Sequence, residues 1–376
     1  MMPPSASRRK VAMPPSASRR NEEPCIKLMS PQSEFFYIAA CGVGKDAGIH
    51  TFSLNADGSH ERRHFLPFEG ASYFWPSPDG RFLYLADESP VAGGVASFRR
   101  LPDGSLEKCG ERLSSDDICC HVTTSPDGRF LFASDYRHGH LLEYPLDTET
   151  GAILPLRRVV RHTGKGPNPK RQESAHIHSA ICSSDGKWLC VADLGEDTLT
   201  SYPLTSDGLG DISSCRISRM TPGSGPRHFL FSRRNPGTAW LLNELDCTLN
   251  TLDFEDGSFR IRQTQPLLAG DKQVLNKASA IRLSPDGGHL LASVRGEDTI
   301  LSFPVLEDGS LGMPKRFSCI VSSPRDFNFL PGGRWIACGG ENSNDVILFE
   351  YNPNTGELTP DLNSRIVSLP RPICFL

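Results

Sequence analysis

The chain has 376 residues, of which 38% are hydrophobic and 22% charged, and its formal net charge at pH 7 is −4. This balance is typical of a globular protein, and the acidic net charge gives no electrostatic reason to expect a nucleic acid partner. No apolar run approaches the roughly 20 residues that a membrane-spanning helix needs, and the N-terminus lacks the apolar core of a secretory signal, so we expect no membrane partner and a cytoplasmic location.

The N-terminal segment, residues 1–24, differs in composition from the rest of the chain. The octapeptide MPPSASRR occurs twice, at residues 2–9 and 13–20, and no acidic residue precedes Glu22. A segment this rich in Pro, Ser and Arg cannot bury enough apolar surface to offset the entropy of ordering it, so we expect a disordered tail. A transit peptide is the alternative, although the paired prolines disfavour the amphipathic helix that it needs.

The rest of the chain, residues 25–376, repeats one motif: a turn resembling Ser-Pro-Asp-Gly followed by an apolar run, as in SPDGRFLYLAD. Its seven copies begin at Ser30, Ser77, Ser125, Ser183, Ser232, Ser284 and Leu330. A second turn follows each copy, typically Asp-Gly-Ser, with its glycine at Gly58, Gly104, Gly151, Gly208, Gly257, Gly309 and Gly356. Asp-Gly between alternating apolar residues is a strong hairpin signal, because glycine accepts the positive φ that tight hairpin turns require.

Each repeat therefore predicts four antiparallel strands, and seven such units predict an all-β, seven-bladed β-propeller. An open array or a two-domain sandwich is the alternative, but neither explains why both series of turns keep the same phase. The last repeat leaves an unpaired segment, RPICFL, at the C-terminus, and the first repeat lacks a strand before Ser30. We therefore expect the C-terminal strand to join the first blade and close the ring, which removes an open sheet edge.

The cysteines and histidines do not form a recognisable metal motif. Twelve cysteines are scattered without a Cys-x-x-Cys pair, which argues against a zinc knuckle or a thioredoxin-like site. In apolar runs, reduced cysteine acts as a small core residue. His176 and His178 could supply two ligands from one strand, but the sequence offers no obvious third. The sequence thus predicts neither a bound metal nor a cofactor.

Candidate functional residues lie at two positions in the repeat. Innermost strands line the channel of a propeller, so polar residues at strand ends there can meet a ligand. The inner strands begin with His121, His178, Arg227, His228, Arg325 and Asp326, and the second strands end with Asp87, Asp135, Asp193, Glu244, Arg295 and Glu341. The aspartates are more simply explained as solvated strand ends. Glu244 and Arg295 follow apolar runs, where desolvation would perturb the carboxylate and suit it to act as a base.

A basic loop, from Arg161 to His176, precedes the fourth copy of the turn and coincides with the longest step between copies. It contains Lys165, Lys170 and Arg171. An insertion at this place could cover the channel mouth and attract an anion. A solvated loop without a functional role is an equally simple interpretation.

The chain resembles the propeller lactonase family, also called the cycloisomerase 2 family, which includes 6-phosphogluconolactonases and fungal 3-carboxy-cis,cis-muconate lactonizing enzymes. The motifs that carry the resemblance are GPNPKRQESAHIHS, DGKWLCVADLGEDTL, GSGPRHFLFS, SAIRLSPDG with VRGEDTI, and SPRDFNF with GGENSNDVILFEY. It implies catalytic roles for His178, Arg227, Glu244 and Arg295, and His176 and His228 fall in the same motifs as secondary candidates for substrate binding. The positions described above add Arg325, Lys170 and Arg171 as substrate-binding candidates. The chain departs from the usual family pattern at Val294, Ala175 and Asp135, which affects fine substrate contacts.

The resemblance implies hydrolysis of a sugar lactone, with 6-phospho-D-glucono-1,5-lactone, an intermediate of the pentose phosphate pathway, as the favoured small anionic substrate. In this hypothesis Glu244 is the general base, His178 an acid/base partner, and Arg227 and Arg295 hold the lactone carbonyl or an anionic substituent. The sequence has no Gly-x-Ser-x-Gly nucleophile elbow, which favours attack by water. Lactonization of a carboxymuconate is the enzymatic alternative, and a non-enzymatic binding propeller is the third.

Overall fold

The structure is a computed structural model that describes residues 1, 35–89, 93–111, 113–114, 118–270 and 276–376. The predicted tail lies almost wholly outside the described residues, so its disorder stays a prediction. Within the described part of the chain, no helix is long and apolar enough to cross a membrane.

Thirty strands make up the described structure, with one short 3-10 turn at Ile212–Ser214. In chain order the strands are β1 (Phe35–Ala40), β2 (Gly48–Leu54), β3 (His60–Pro67), β4 (Ala71–Pro76), β5 (Phe82–Asp87), β6 (Gly94–Arg100), β7 (Leu106–Lys108), β8 (Leu113–Ser114), β9 (Cys119–Thr124), β10 (Phe130–Asp135), β11 (His140–Pro145), β12 (Arg158–Arg161), β13 (Ile177–Cys182), β14 (Trp188–Asp193), β15 (Thr198–Thr205), β16 (Gly208–Leu209), β17 (Arg216–Arg219), β18 (Pro226–Phe231), β19 (Thr238–Asn243), β20 (Thr248–Glu255), β21 (Ser258–Pro266), β22 (Lys277–Leu283), β23 (His289–Arg295), β24 (Thr299–Pro304), β25 (Lys315–Ser318), β26 (Pro324–Phe329), β27 (Trp335–Gly340), β28 (Asp345–Tyr351), β29 (Leu358–Val367) and β30 (Pro372–Phe375).

These strands form seven antiparallel sheets, which are the seven predicted blades. The first blade has the order β3-β2-β1-β30, so the C-terminal strand is its innermost strand. In the other six blades the innermost strands are β4, β9, β13, β18, β22 and β26. The predictions of a seven-bladed propeller and of ring closure by the C-terminal strand are confirmed.

The hydrophobic core lies between neighbouring blades. One cluster joins Phe36 and Phe375 of the first blade to Trp335 of the last, all nearly inaccessible to solvent. A single blade has two apolar faces and no core of its own, which explains why the fold needs a closed ring of repeats.

The glycines of the second turns have a packing role in addition to their conformational one. Gly58 adopts a φ of 89°, and a Cβ there would lie 2.5 Å from the Trp335 ring of the preceding blade. Gly257 stands in the same relation to Trp188, at 2.9 Å. The Asp-Gly-Ser turns therefore fix the contact between neighbouring blades as well as closing a hairpin.

A β-bulge interrupts every innermost strand near the point where its pairing with the second strand begins. The bulge follows the first paired residue in six of these strands and the second paired residue in β22, where it takes in Ser279 and Ala280. In the fourth blade, for example, Ile177 pairs with Asp193 and Ser179 with Ala192, which leaves His178 unpaired. The bulged residues, called here the bulge ring, are Ser72, Cys120, His178, Arg227, Ser279, Arg325 and Ile373. Because a bulge re-aims its side chain, the seven bulges together build one end of the channel.

Candidate active site

Two rings of side chains form the site at this end of the channel. The first is the bulge ring, six of whose members line a small central cavity together with Glu88. The second, called here the shoulder ring, contains the residues at or just beyond the ends of the second strands. Its members are Cys41, Glu88, Tyr136, Leu194, Glu244, Arg295 and Glu341.

Glu244 is the centre of the site. Its carboxylate accepts hydrogen bonds from Arg171 Nη2 at 2.7 Å and Arg227 Nε at 2.9 Å, and it lies 3.1 Å from Arg295 Nη2. Its exposed fraction is only 3%. Burial acts to raise the pKa of this carboxyl group, but Arg295 and Arg227 outweigh it and hold the pKa well below its usual range. Glu244 is therefore an ionised anchor for arginines at neutral pH, and this disfavours the role of general base expected from the sequence.

His178 faces Glu244 from the neighbouring blade. Its Nε2 lies 3.9 Å from Glu244 Oε2, and its Nδ1 is a buried atom without a hydrogen-bond partner among the described residues. Burial, reinforced by the charge of Arg227, holds the pKa of this imidazole well below its usual range. His178 is thus a neutral ring with one unsatisfied nitrogen beside a carboxylate.

His228 and two other rings, those of Tyr73 and His121, extend the wall of the site from His178. The His178 and His228 centroids are 5.2 Å apart in an edge-on arrangement, and His228 lies 5.8 Å from both Tyr73 and His121. Tyr73 and His121 stack at 4.4 Å. This series of planar side chains gives the channel a flat, largely apolar lining next to the charged groups.

Arg325 belongs to a second ionic group beside the first. Its guanidinium lies 3.5 Å from Glu88 and 3.5 Å from Glu341. Arg371, just before the C-terminal strand, approaches the same Glu341 oxygen at 2.9 Å, and Arg295 links both groups through Glu341 at 3.7 Å. Five arginines thus face three glutamates, and the described part of the site carries an excess of positive charge.

Lys277 adds a further cation. It is half-buried at the start of β22, where it pairs with Arg295. Burial, together with the charge of Arg171, lowers the pKa of its ammonium group. An anionic ligand would relieve this repulsion.

The basic loop contributes one of its two candidate residues to the site. Arg171 is held by Glu244 and by the Tyr136 hydroxyl, 3.0 Å away, and its Nη1 is a buried donor without a partner in the described structure. Lys170 is exposed to solvent. The loop therefore reaches the channel mouth through Arg171, while Lys170 lies outside the cluster around Glu244.

His176 supports the site from behind. Its Nδ1 bonds the Tyr136 carbonyl oxygen at 2.8 Å, and the two rings stack with centroids 4.6 Å apart. The two clusters of possible metal ligands among the described residues include neither His176 nor His178. The geometry therefore favours a role for His176 in positioning Tyr136.

Several members of the site were not predicted from the sequence, although their neighbours in the chain were noted as strand-end acids. Tyr136, Glu88, Arg371 and Lys277 were not proposed. Asp87, Asp135 and Asp193 precede shoulder-ring positions by one residue, and each accepts hydrogen bonds from backbone N–H groups of the following turn. These aspartates do lie at the strand ends, as the sequence predicts, but their carboxylates shape the turns that follow. The site residues Glu88 and Tyr136 are the next residues in the chain, so an alignment of the repeats shifted by one residue would have identified them.

Comparisons with known proteins show the family to which the chain belongs. The sequence matches the family described as "Lactonase, 7-bladed beta-propeller" over residues 35–376. A Bacillus subtilis protein named 6-phosphogluconolactonase is 28% identical over 344 residues, which cover 90% of this chain and 96% of that protein. An uncharacterized protein of Staphylococcus epidermidis is 32% identical over 327 residues, covering 86% of this chain and 94% of its own.

Among solved structures, the periplasmic gluconolactonase of Pseudomonas aeruginosa superposes with a TM-score of 0.83 at 27% identity, covering 91% of this chain and 98% of its own. The region that matches the family, residues 35–376, includes all seven blades and both rings of the site. The chain is therefore a lactonase, and it belongs to the family of seven-bladed β-propeller lactonases.

Proposed function

We propose that this lactonase hydrolyses 6-phospho-D-glucono-1,5-lactone to 6-phospho-D-gluconate and acts in the pentose phosphate pathway in the cytoplasm. The observation that carries the proposal is the excess of cations at the channel mouth, where five arginines and Lys277 face three glutamates. A phosphate group is the kind of ligand that such an excess favours, because planar guanidinium groups bind it through paired hydrogen bonds. The name of the Bacillus subtilis relative supports the same substrate.

Buried polar atoms without a hydrogen-bond partner indicate where the lactone would bind. Arg171 Nη1 and Arg295 Nε are buried without a partner among the described residues, and so is His178 Nδ1. Buried polar atoms are nearly always paired in native proteins. A polar ligand or water molecules between these three residues would satisfy all of them.

His178 is the general base of the proposed mechanism. With its Nε2–H turned towards Glu244, Nδ1 presents a lone pair to a water molecule poised to attack the lactone carbonyl carbon. The Glu244 carboxylate fixes this tautomer and stabilises the imidazolium that forms when His178 takes the proton. The 3.9 Å separation of Nε2 and Oε2 is compatible with this role, since such contacts commonly shorten when substrate binds.

Arg227 and Arg295 stabilise the oxyanion that develops on the carbonyl oxygen. Both approach Glu244 Oε2, so the carboxylate holds their guanidinium groups next to the reacting centre. Collapse of the tetrahedral intermediate breaks the bond between the carbonyl carbon and the ring oxygen. The His178 imidazolium then returns its proton to that oxygen, which leaves a hydroxyl group and a carboxylic acid that releases its own proton to solvent to become the carboxylate.

A coupled assay tests the proposal. The purified full chain is mixed with freshly made 6-phosphogluconolactone, and release of 6-phosphogluconate is followed with its dehydrogenase after correction for spontaneous ring opening. We expect the enzyme to accelerate the reaction and to prefer this substrate to unphosphorylated gluconolactone. Equal rates with and without enzyme, or faster turnover of carboxymuconate than of either lactone, would refute the assignment.

A further inference from the structure

The hairpin turn between β10 and β11 brings one carboxylate and two imidazoles together outside the ionic cluster of the active site. Asp135 Oδ2 lies 2.7 Å from His138 Nδ1 and 3.7 Å from His140 Nδ1. The ligand atoms of the three residues all lie within 4.8 Å of one another. Asp135 is fully buried, while the side chains of His138 and His140 are 39% and 21% exposed. A buried carboxylate with two accessible imidazoles is a typical half-open ligand set.

We propose that Asp135, His138 and His140 form a binding site for a divalent transition metal ion, with zinc as the best fit. Imidazole nitrogen and carboxylate oxygen are both common zinc ligands, with bonds of about 2.0 to 2.2 Å. Tetrahedral coordination at those lengths separates neighbouring ligand atoms by about 3.4 Å. The two contacts of Asp135 Oδ2, at 2.7 and 3.7 Å, lie on either side of this value, so rotation of the partly exposed His138 ring brings the ligand atoms to the required spacing and a water molecule completes the shell.

The arrangement is not accounted for by hydrogen bonding between these three residues alone. The second contact, at 3.7 Å, is too long for a hydrogen bond, yet both Nδ1 atoms are turned to the same oxygen. The two imidazole rings also stack, with centroids 5.6 Å apart. The other carboxylate oxygen, Oδ1, accepts the Arg137 N–H at 2.9 Å, which orients the group for a ligand on its Oδ2 side.

A second cluster of possible ligands carries no metal assignment. In the group of His162, Asp193 and Glu196, the Glu196 carboxylate already accepts two backbone N–H groups, and His162 Nε2 bonds the Tyr202 hydroxyl. Asp193 Oδ1 accepts three more backbone N–H groups. These residues fasten a loop through hydrogen bonds, so we make no metal assignment there.

The position of the proposed site links it to the active site. Its turn carries Tyr136, whose hydroxyl bonds Arg171 and whose carbonyl oxygen bonds His176. Gly139 in the same turn packs so closely on Ala175 that a Cβ there would lie 2.8 Å from the Ala175 Cβ. A metal ion that clamps the turn would therefore stabilise the hairpin and fix Tyr136 beside Arg171.

Metal titration of the purified full chain tests this proposal, which does not rest on the proposed substrate. After dialysis against EDTA, Zn²⁺ is titrated calorimetrically into the protein and into His138→Ala, His140→Ala and the double variant. The control is His64→Ala, which removes an exposed histidine 3.8 Å from a single carboxylate, that of Asp103. We expect one Zn²⁺ per chain in the unmodified protein and in the control, a loss of at least about tenfold in affinity in each single variant, and no binding at this site in the double variant.

Two further measurements distinguish the site from unspecific binding. Zn²⁺ should raise the thermal midpoint of the unmodified protein and leave that of the double variant unchanged, because an ion that binds only the folded state stabilises it. Co²⁺ in the same site should show the visible bands of a nitrogen- and oxygen-ligated ion. Absence of stoichiometric binding, binding retained by the double variant, or a thiolate-to-cobalt charge-transfer band that indicates cysteine ligands would each overturn the proposal.

Discussion

Arg171 and Glu244 meet at 2.7 Å although 73 residues separate them in the chain. Arg171 comes from the loop between the third and fourth blades, whereas Glu244 follows the second strand of the fifth blade. Together with Arg227 and Arg295 this contact gives one buried carboxylate three guanidinium partners. Such a carboxylate organises positive charge for a substrate more readily than it accepts a proton.

Replacing Glu244 by glutamine tests this role. Glu244→Gln keeps the shape of the side chain but removes the charge that holds three arginines and orients His178. We expect kcat/KM for the lactone to fall by about a hundredfold or more, within the range seen when one preorganised electrostatic group is removed. Glu173→Gln is the matched control, because Glu173 is an exposed glutamate near His176. Activity of Glu244→Gln equal to that of the control would argue against the site.

The base can be identified separately by changing His178. His178→Gln should lower kcat by about 10² to 10⁴, as expected for loss of general base catalysis, with a smaller change in KM. His50→Gln controls for the removal of a buried histidine, since His50 lies in the first blade and bonds the Asp46 carbonyl oxygen. The pH profile gives a further check: because the pKa of His178 is held well below its usual range, the acid limb of kcat/KM should fall below pH 6.5. A limb at or above that value would assign the base to another group.

The repeat pattern was sufficient to predict the blades and the closure of the ring, because turn residues and strand periodicity are local properties of a sequence. The bulge ring was not predictable from one chain. A bulge depends on register with the second strand, and the same letters His-Ile-His read as regular alternation place both imidazoles on one face. In the structure the bulge at His178 gives the two imidazoles different surroundings: His178 faces Glu244, whereas His176 stacks on Tyr136.

Residues of the site that act across blades were missed for a related reason. Glu88 and Tyr136 directly follow a strand and Arg371 directly precedes one, so in the sequence all three look like turn residues. Each contacts a charged residue of the site that is far away in the chain. The nearby aspartates are conspicuous in the sequence, because each is an acid at the end of an apolar strand, and their simplest interpretation was a solvated strand end. Their carboxylates bond local backbone N–H groups, an interaction common at turns.

Lys277 should determine preference for a charged substrate. Lys277→Met retains the aliphatic stem and removes the ammonium group next to Arg171 and Arg295. We expect kcat/KM for 6-phosphogluconolactone to fall roughly tenfold to a hundredfold, which corresponds to the loss of a charged hydrogen bond, and that for gluconolactone to change little. Lys165→Met, which removes an exposed lysine of the basic loop, is the control. An equal loss of kcat/KM on both substrates would mean that Lys277 does not bind the phosphate group.

Closure of the ring by the C-terminal strand predicts that Phe375 is important for stability. This side chain is 1% exposed and packs between the first and last blades with Phe36 and Trp335. Phe375→Ala should lower the free energy of unfolding by about 3 to 5 kcal/mol, the usual cost of truncating a buried aromatic residue. Leu362→Ala, at a residue that is 66% exposed, should change it by less than about 0.5 kcal/mol. Similar urea midpoints for the two variants would show that the last strand contributes little.

The buried histidines predict that the protein loses stability on mild acidification. Burial lowers the pKa of His121 to about 3 and holds the pKa values of His178 and His228 well below their usual range. Below pH 6.5 these histidines are therefore protonated in the unfolded chain but not in the folded protein. As the pH falls, this difference lowers the free energy of unfolding by up to about 1.4 kcal/mol per pH unit for each histidine. Glu244 is ionised throughout this range, since its pKa is held below its usual value, and its contribution is lost only at more acidic pH. Urea unfolding at pH 7, 6 and 5 measures the slope, and His121→Asn should reduce it. A slope that is flat between pH 7 and 5 would mean that these imidazoles protonate in the folded state and that the site opens to admit the charge.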